Sequence, residues 1–202
     1  MRRTLSLILA MVIGGVLPIQ AAAEVTVGQP APDFQLVDAE GQQRTLKEFR
    51  GRFVVLEWFN PECPFSKKHY DSGNMQRLQR WAESRGVAWL SIDSSAPGKQ
   101  GHVTSEQAKA LGQARKMAST AILLDPDGRV GKRYGAKTTP HMFLVNPDGI
   151  VIYQGAIDDR PSVDPADVDG ATNYVEAALT QALAGRPVTK PTTPPYGCSV
   201  KY

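Results

Sequence analysis

The sequence contains few of the side chains on which metal sites and large catalytic clusters depend. Its 202 residues include only two cysteines, Cys63 and Cys198, and three histidines. A zinc or copper site would need more sulfur or imidazole ligands than these, so we expect no metal and no other cofactor. The net charge is also small, because the chain has 23 basic residues and 20 acidic ones. This balance gives no support for a nucleic-acid partner or for binding to an anionic membrane.

Long apolar runs are scarce too, and the main one lies within the first 23 residues. This stretch combines Arg2 and Arg3 with an apolar run at residues 5–16 and small residues at 21–23, which is typical of a secretory signal peptide. The run is too short, and is too interrupted by residues such as Pro18, to predict a transmembrane anchor. We therefore expect an exported, periplasmic protein with no membrane span after signal removal. Loss of the two arginines lowers its formal charge to +1.

The stretch around Cys63 organises the rest of the chain. The apolar, β-rich residues 53–59 predict a buried strand, and Pro64 suits the first position of a helix. Cys63 would then lie where a strand ends and a helix begins, and the N–H groups of that helix would favour a thiolate. Lys67, four residues on, would share its helical face and lower the pKa of the thiol further, while Glu62 would oppose it. The alternative is that Cys63 is a small buried apolar residue.

The remaining pattern alternates strands and helices. Further strands are predicted at 34–37, 87–92, 121–124, 142–145 and 150–153, and helices at 64–82, 106–117, 129–134 and 173–183, the first with a kink near Ser72 and Gly73. This order predicts an α/β fold with a central mixed sheet and helices on both faces. Four prolines between 187 and 202 exclude regular structure there. We therefore predict one domain over 24–186 and a Pro-rich, extended C-terminal arm over 187–202, which carries Cys198.

Five motifs resemble a known family. They are VGQPAPDFQLVDAEG near the start, NPECPF around Cys63, YGAKTTPHMFLVNPDG, GAIDDRP and the terminal GCSVKY. Together they resemble the thioredoxin-fold redoxins, the group that includes peroxiredoxins and alkyl hydroperoxide reductases, and in particular the peroxiredoxin-like (AhpC/TSA-type) thioredoxin family proteins of bacteria. The resemblance covers nearly all of the chain after residue 23. It implies a thioredoxin-like fold with redox chemistry at Cys63.

The resemblance also implies roles for individual residues. Cys63 matches the attacking, peroxidatic cysteine. Thr139 and Pro140 match the threonine and cis-proline that face this cysteine in thioredoxin-like folds. Glu57 matches a buried acid used for proton transfer, whose pKa would be raised by an apolar environment. Glu57 could equally be an edge residue that faces solvent.

Three departures limit this transfer of roles. Ser66 replaces the second cysteine of thioredoxins, so a local Cys-x-x-Cys disulfide is impossible. Asn60 stands where peroxiredoxins have a threonine, so a peroxide-orienting hydroxyl is missing unless Asn60 or Thr139 substitutes for it. The arginine that peroxiredoxins place beside the thiolate has only Arg160 and Arg115 as candidates.

Cys198 has three possible roles: it could resolve an oxidised Cys63, form a permanent structural disulfide with it, or remain free or intermolecular. In the first case the protein would be an exported peroxiredoxin-like enzyme that reduces a small peroxide at Cys63, resolves it with Cys198 and is restored by an external, thioredoxin-like thiol reductant. An alternative is thiol–disulfide exchange on exported proteins. A further alternative is a redox-inactive binding domain with a structural Cys63–Cys198 disulfide. An oligomer is possible in each case.

Overall fold

A computed structural model describes residues 24–202 of the protein, so the predicted signal segment lies outside the described residues. The described part contains five α-helices: α1 Pro64–Asp71, α2 Asn74–Glu83, α3 Ser105–Ala114, α4 Arg129–Tyr134 and α5 Tyr174–Leu183. It contains nine strands: β1 Gln35–Asp38, β2 Gln43–Thr45, β3 Val54–Trp58, β4 Ala88–Asp93, β5 Ala121–Leu124, β6 Thr138–Thr139, β7 His141–Val145, β8 Val151–Gly155 and β9 Cys198–Ser199. Two 3₁₀ turns complete it, at Leu46–Phe49 and Pro165–Val168.

Seven of the strands form one mixed sheet, in the order β2-β1-β5-β4-β3-β7-β8. β4 pairs in parallel with β3 and with β5, and the other neighbours pair antiparallel. β3 lies near the middle of the sheet and all five of its residues are buried, as expected for the apolar run that precedes Cys63. The predicted mixed sheet and the hairpin between β7 and β8 are confirmed.

Helices cover both faces of this sheet. Alternate β3 side chains, Leu56 among them, pack on one face with α4 and the 3₁₀ turn at Leu46–Phe49. Val55 faces the other side, where α1, α2, α3 and α5 contribute buried apolar residues. The predicted kink is confirmed as a break between α1 and α2 at Gly73, whose φ of 76° is one that glycine adopts without strain.

Three short strands, β2, β6 and β9, were not predicted from the sequence. β2 reads QRT, which has no apolar alternation, and it forms because it pairs with β1 across the Asp38–Gly41 turn. β9 lies in the Pro-rich segment 187–202 and pairs antiparallel with β6, away from the main sheet. β6 and β9 have two residues each, which are too few to produce a recognisable pattern.

The C-terminal segment 187–202 contains no helix and is docked along the fold. Its backbone exchanges hydrogen bonds with Gln154, whose N–H donates to Pro191 at 3.0 Å and whose carbonyl accepts from Thr193 at 3.1 Å. Further along, the Lys201 carbonyl accepts from Ala96 at 2.8 Å. Proline content argues against a helix but carries no information on such long-range contacts, so the docking could not be predicted from the sequence. The domain boundary proposed at residue 186 stays a prediction.

Among the described residues, no helix combines the length and the apolar character needed to cross a bilayer.

Candidate active site

Cys63 is the N-cap residue of α1, with Pro64 at the first helical position. Its side chain is fully buried. Its Sγ donates a hydrogen bond to the carbonyl oxygen of Thr139 at 3.0 Å, and the Thr139–Pro140 peptide bond is cis. The structure therefore brings together Cys63, Thr139 and Pro140, as the resemblance implied.

Cys198 lies beside the same threonine from the other side. In the β6–β9 pairing, Cys198 is the partner of Thr139, and both cysteines are free thiols. Gly197 permits this approach, because its φ is 135° and a Cβ there would lie 2.2 Å from the Thr139 carbonyl oxygen. The two cysteines therefore meet at Thr139, whose carbonyl accepts from Cys63 Sγ at 3.0 Å and whose hydroxyl donates to the Cys198 carbonyl at 3.5 Å.

The two thiols have pKa values that move in opposite directions. Burial acts to raise the pKa of Cys63, but hydrogen bonds from the Cys198 and Thr139 side chains and from the N–H groups of Ser66 and Cys198 outweigh it and lower the pKa below its ordinary value. Burial, followed by the hydrogen bond to Cys63 and the charge of Cys63, raises the pKa of Cys198 to about 11. Cys63 is therefore the better nucleophile of the pair, and Cys198 holds its proton.

Lys67 does not lie beside the Cys63 thiol, contrary to the prediction from the sequence. Its side chain is exposed, and the groups that lower the Cys63 pKa are the hydrogen-bond donors named above. The i, i+4 relation requires both residues to be helical, whereas Cys63 has an extended backbone with ψ of 123°. Lys67 therefore does not share a helical face with Cys63.

Asn60 holds the loop that leads to Cys63. Its buried Oδ1 accepts hydrogen bonds from the N–H groups of Glu62 at 2.8 Å and Cys63 at 3.1 Å, and its Nδ2 donates to the Gln100 carbonyl at 2.9 Å. Both ends of the amide are thus engaged with backbone. Asn60 positions the Cys63 backbone, and its amide is not directed at the sulfur.

We expect the Asn60→Ala substitution to lower the free energy of unfolding by about 1–2 kcal/mol, because it leaves buried backbone groups without partners. Urea unfolding would measure this loss. The matched control is Asn60→Asp, which keeps the acceptor for Glu62 and Cys63 and loses the donor to Gln100 and Ser95. A stability of Asn60→Ala equal to that of the wild type would show that water replaces the amide.

Glu57 is buried in the sheet and does not face solvent, which settles the alternative that the sequence left open. Tyr70, Trp89 and Ser91 each donate a hydrogen bond to its carboxyl group at 2.8 Å, and Gln79 donates one at 3.5 Å. Burial raises its pKa. These partners tie Glu57 to the core, and within residues 24–202 none of its hydrogen bonds reaches Cys63.

Neither candidate arginine hydrogen-bonds to the sulfur of Cys63 in the described part of the chain. Arg115 donates to the carbonyl of Pro61 at 2.8 Å and lies over the ring of Tyr70 at 5.4 Å. Arg160 is more than half exposed and lies beside Asp159. Ser66, which replaces the second thioredoxin cysteine, is buried beneath the site.

A buried polar cluster beside the site was missed by the sequence analysis. It consists of Lys68, His69 and Asp158, whose side chains are at most 1% exposed, and of Tyr196 from the C-terminal segment. Burial lowers the pKa of His69 to about 4. The adjacent charges in SKKHY and GAIDDRP were the available signal, but nothing in the sequence links them to Tyr196. Across residues 24–202, no group of three or more metal-ligand side chains occurs.

Comparison with known proteins places this geometry in a family. Residues 27–154 match the AhpC/TSA family. A relative named thiol-disulfide oxidoreductase ResA, from Bacillus thuringiensis subsp. konkukian, is 26% identical over 131 residues, which are 65% of this chain and 70% of the relative.

Many solved structures align with the chain, and two of them show the range of the similarity. The crystal structure of a hypothetical protein from Sinorhizobium meliloti 1021 aligns with a TM-score of 0.75 at 28% identity, over 89% of this chain and 96% of that one. The thioredoxin domain of a thiol-disulfide oxidoreductase from Bacteroides vulgatus aligns with a TM-score of 0.52 at 19% identity, over 72% and 97%. The fold is therefore thioredoxin-like, and with residues 27–154 matching its family, the chain belongs to the AhpC/TSA family of thiol-based oxidoreductases.

Proposed function

We propose that the protein is a thiol–disulfide oxidoreductase in which Cys63 and Cys198 form the redox pair. The observation that carries this proposal is the pairing of β9 with β6, which sets Cys198 beside Thr139, the residue whose carbonyl accepts a hydrogen bond from Cys63. The pKa of Cys63 is lowered and that of Cys198 is raised. Cys63 is thus suited to attack the substrate disulfide first, and Cys198 is suited to attack Cys63 in the second step. The name of the ResA relative agrees with this chemistry.

The reaction takes two exchange steps. The Cys63 thiolate attacks one sulfur of a substrate disulfide, forms a mixed disulfide and releases the other sulfur as a thiolate, which takes up a proton. Cys198 then loses its proton and attacks the Cys63 sulfur, which forms the Cys63–Cys198 disulfide and releases the second substrate thiol. The substrate gains two electrons and the protein loses two. An external dithiol reverses both steps on the protein.

The C-terminal segment controls access to Cys63. Cys63 is fully buried while Cys198 is partly exposed, so a protein disulfide reaches Cys63 only after β9 moves away from β6. The pairing spans two residues on each strand, and a ladder of that length is weak on its own. We propose that substrate binding displaces this short strand. We also propose that the protein works outside the cytoplasm, on the composition of residues 1–23.

Peroxide reduction is the second candidate. The full burial of Cys63 favours it, since a small peroxide needs less room than a protein disulfide. Thiolate attack on a peroxide would give a sulfenic acid and an alcohol or water, and Cys198 would then form the disulfide with release of water. The absence of a guanidinium hydrogen bond to Cys63 in the described residues speaks against an optimised peroxide site. A purely structural disulfide is disfavoured because the Cys63 pKa is lowered.

The test compares two oxidants on the fully reduced protein. We expect one equivalent of a protein disulfide to produce the Cys63–Cys198 disulfide much faster than one equivalent of hydrogen peroxide does. Mapped alkylation and intact mass would detect this disulfide. Cys63→Ser is the control and should abolish the reaction with both oxidants. Faster oxidation by hydrogen peroxide, with no reduction of the protein disulfide, would favour the peroxidase instead. Two thiols that stay alkylatable with either oxidant would exclude both enzymes.

A further inference from the structure

We propose that Tyr196 is the positioning residue that holds Cys198 against Cys63. This inference rests on the proposed function, in which these two cysteines form the redox pair. Tyr196 lies two residues before Cys198 and outside residues 27–154, which match the family. Its side chain would set the relative position of the two cysteines.

Tyr196 lies in a socket built mainly by α1. Its hydroxyl donates a hydrogen bond to Asp158 Oδ1 and lies 3.2 Å from His69 Nε2. Its ring meets Phe65 edge-on at 5.9 Å, and the Lys68 ammonium lies 5.8 Å from the ring centroid. The C-terminal segment is therefore anchored at this point by both the hydroxyl group and the ring.

The hydrogen bonds in the socket run in one direction. Arg77 donates to Asn74 Oδ1 at 3.2 Å, so the amide of Asn74 points its NH₂ group toward His69 Nδ1, 3.0 Å away. His69 Nδ1 is then the acceptor, and the proton of the neutral ring lies on Nε2. Nε2 donates to the Tyr196 hydroxyl, which donates in turn to Asp158. Each donor along this chain has one acceptor, so the chain orients the tyrosine hydroxyl uniquely.

Asp158 lies at the buried end of the socket and is held there by further contacts. Its backbone neighbour Arg160 donates its N–H to Asp158 Oδ1 at 3.0 Å, and the Lys68 ammonium lies 3.7 Å from Oδ2. Lys68 also donates to the Arg160 carbonyl at 2.6 Å. A carboxylate that is held in this way, at 1% exposure, gives the tyrosine a charged acceptor, and hydrogen bonds to charged acceptors are the stronger kind.

The socket and the nucleophile share one rigid element. Lys68 and His69 belong to α1, the helix whose N-cap is Cys63. On the far side of Cys198, Tyr202 donates to the Ala136 carbonyl at 2.8 Å, outside α1. Within residues 24–202, the Tyr196 anchor therefore ties the segment that carries Cys198 to side chains of the helix that orients Cys63.

Tyr196→Phe tests the hydroxyl alone, because it keeps the ring in its socket. In a glutathione redox buffer, we expect the effective concentration of Cys198 toward Cys63 to fall about tenfold, the size expected for losing one hydrogen bond to a charged partner. The pKa of Cys63, measured from the pH dependence of its alkylation, should rise because Cys198 donates to it less often. With Cys198→Ser as background, the added Tyr196→Phe change should leave alkylation of Cys63 unchanged.

Tyr174→Phe is the matched control, since Tyr174 lies at the start of α5 under Lys190, and within residues 24–202 its hydroxyl makes no hydrogen bond to either cysteine or to Tyr196. Asp158→Asn is the second variant and should shift the effective concentration in the same direction as Tyr196→Phe. If wild-type protein forms the Cys63–Cys198 disulfide and both socket variants match its effective concentration, Tyr196 has no positioning role. If the wild type forms no such disulfide in any redox buffer, the proposed function itself fails.

Discussion

Cys198→Ser protein is expected to stop partway through its reaction, with a substrate thiol covalently attached to Cys63. Cys63 keeps its place at the N-terminus of α1 and can still attack a disulfide, but the group that would displace the substrate is gone. Release then depends on a second thiol from solution. Since the intramolecular attack benefits from a high effective concentration of Cys198, we expect turnover to fall about 10²-fold or more.

The measurement is intact mass after mixing the reduced variant with a disulfide-containing peptide. A mass increase equal to one peptide thiol, located on Cys63 and removed by dithiothreitol, is the expected result. Ser199→Ala is the matched control, because it alters the neighbouring residue of β9 and leaves both thiols in place; it should form the Cys63–Cys198 disulfide and no adduct. An adduct-free Cys198→Ser protein with wild-type turnover would show that Cys198 takes no part in exchange.

The Cys63 region could be predicted from sequence because its determinants are local. An apolar run followed by Pro64 fixes the end of a strand and the start of a helix within a few residues. The error over Lys67 arose at the same junction, where Cys63 caps the helix with extended backbone and is not part of it. A shift of one residue at a helix end changes which side chains share a face.

The environment of Glu57 could not be predicted because it depends on neighbours that are distant in sequence. The apolar residues around Glu57 predict a strand, but whether its carboxyl group faces solvent depends on which strands flank β3. Trp89 and Ser91 of β4 donate to it, and Tyr70 reaches it from α1. The parallel β3–β4 register, which sets Glu57 opposite Ser91, brings the two β4 donors to the carboxyl group.

The docking of the C-terminal segment was beyond sequence reasoning for a similar reason. Its prolines correctly exclude a helix over residues 187–202. The contacts that hold it are a tyrosine hydroxyl in a buried charged socket, two backbone hydrogen bonds to Gln154 and a two-residue strand. Each joins residues far apart in the chain, and none leaves a periodic pattern. The proximity of Cys198 to Cys63 follows from these contacts.

Asp93→Asn is expected to stabilise the protein at neutral pH. Asp93 ends β4 and is 3% exposed, with its Oδ1 accepting a hydrogen bond from the Ser95 N–H at 2.9 Å. Burial raises its pKa from 3.8 to about 6. The folded state therefore holds this proton more tightly than the unfolded state, so stability falls as pH rises from about 4 to about 6. Above that window the loss is complete and amounts to about 3 kcal/mol.

Asparagine keeps the acceptor for Ser95 and carries no charge, so the variant avoids this loss. We expect equal stabilities near pH 4 and an advantage for Asp93→Asn that grows to about 3 kcal/mol by pH 7, measured by urea unfolding across the pH range. Asp127→Asn is the control of opposite sign, because hydrogen bonds from Arg129 lower the pKa of that carboxyl, and the variant should lose stability relative to the wild type as pH rises. An Asp93→Asn advantage that does not change with pH would mean that Asp93 does not take up its proton near pH 6. Since Ser95 also lies 3.5 Å from the amide of Asn60, a stabilised Asp93→Asn protein with slower disulfide exchange would indicate that the buried carboxyl is kept for the redox site at the expense of stability.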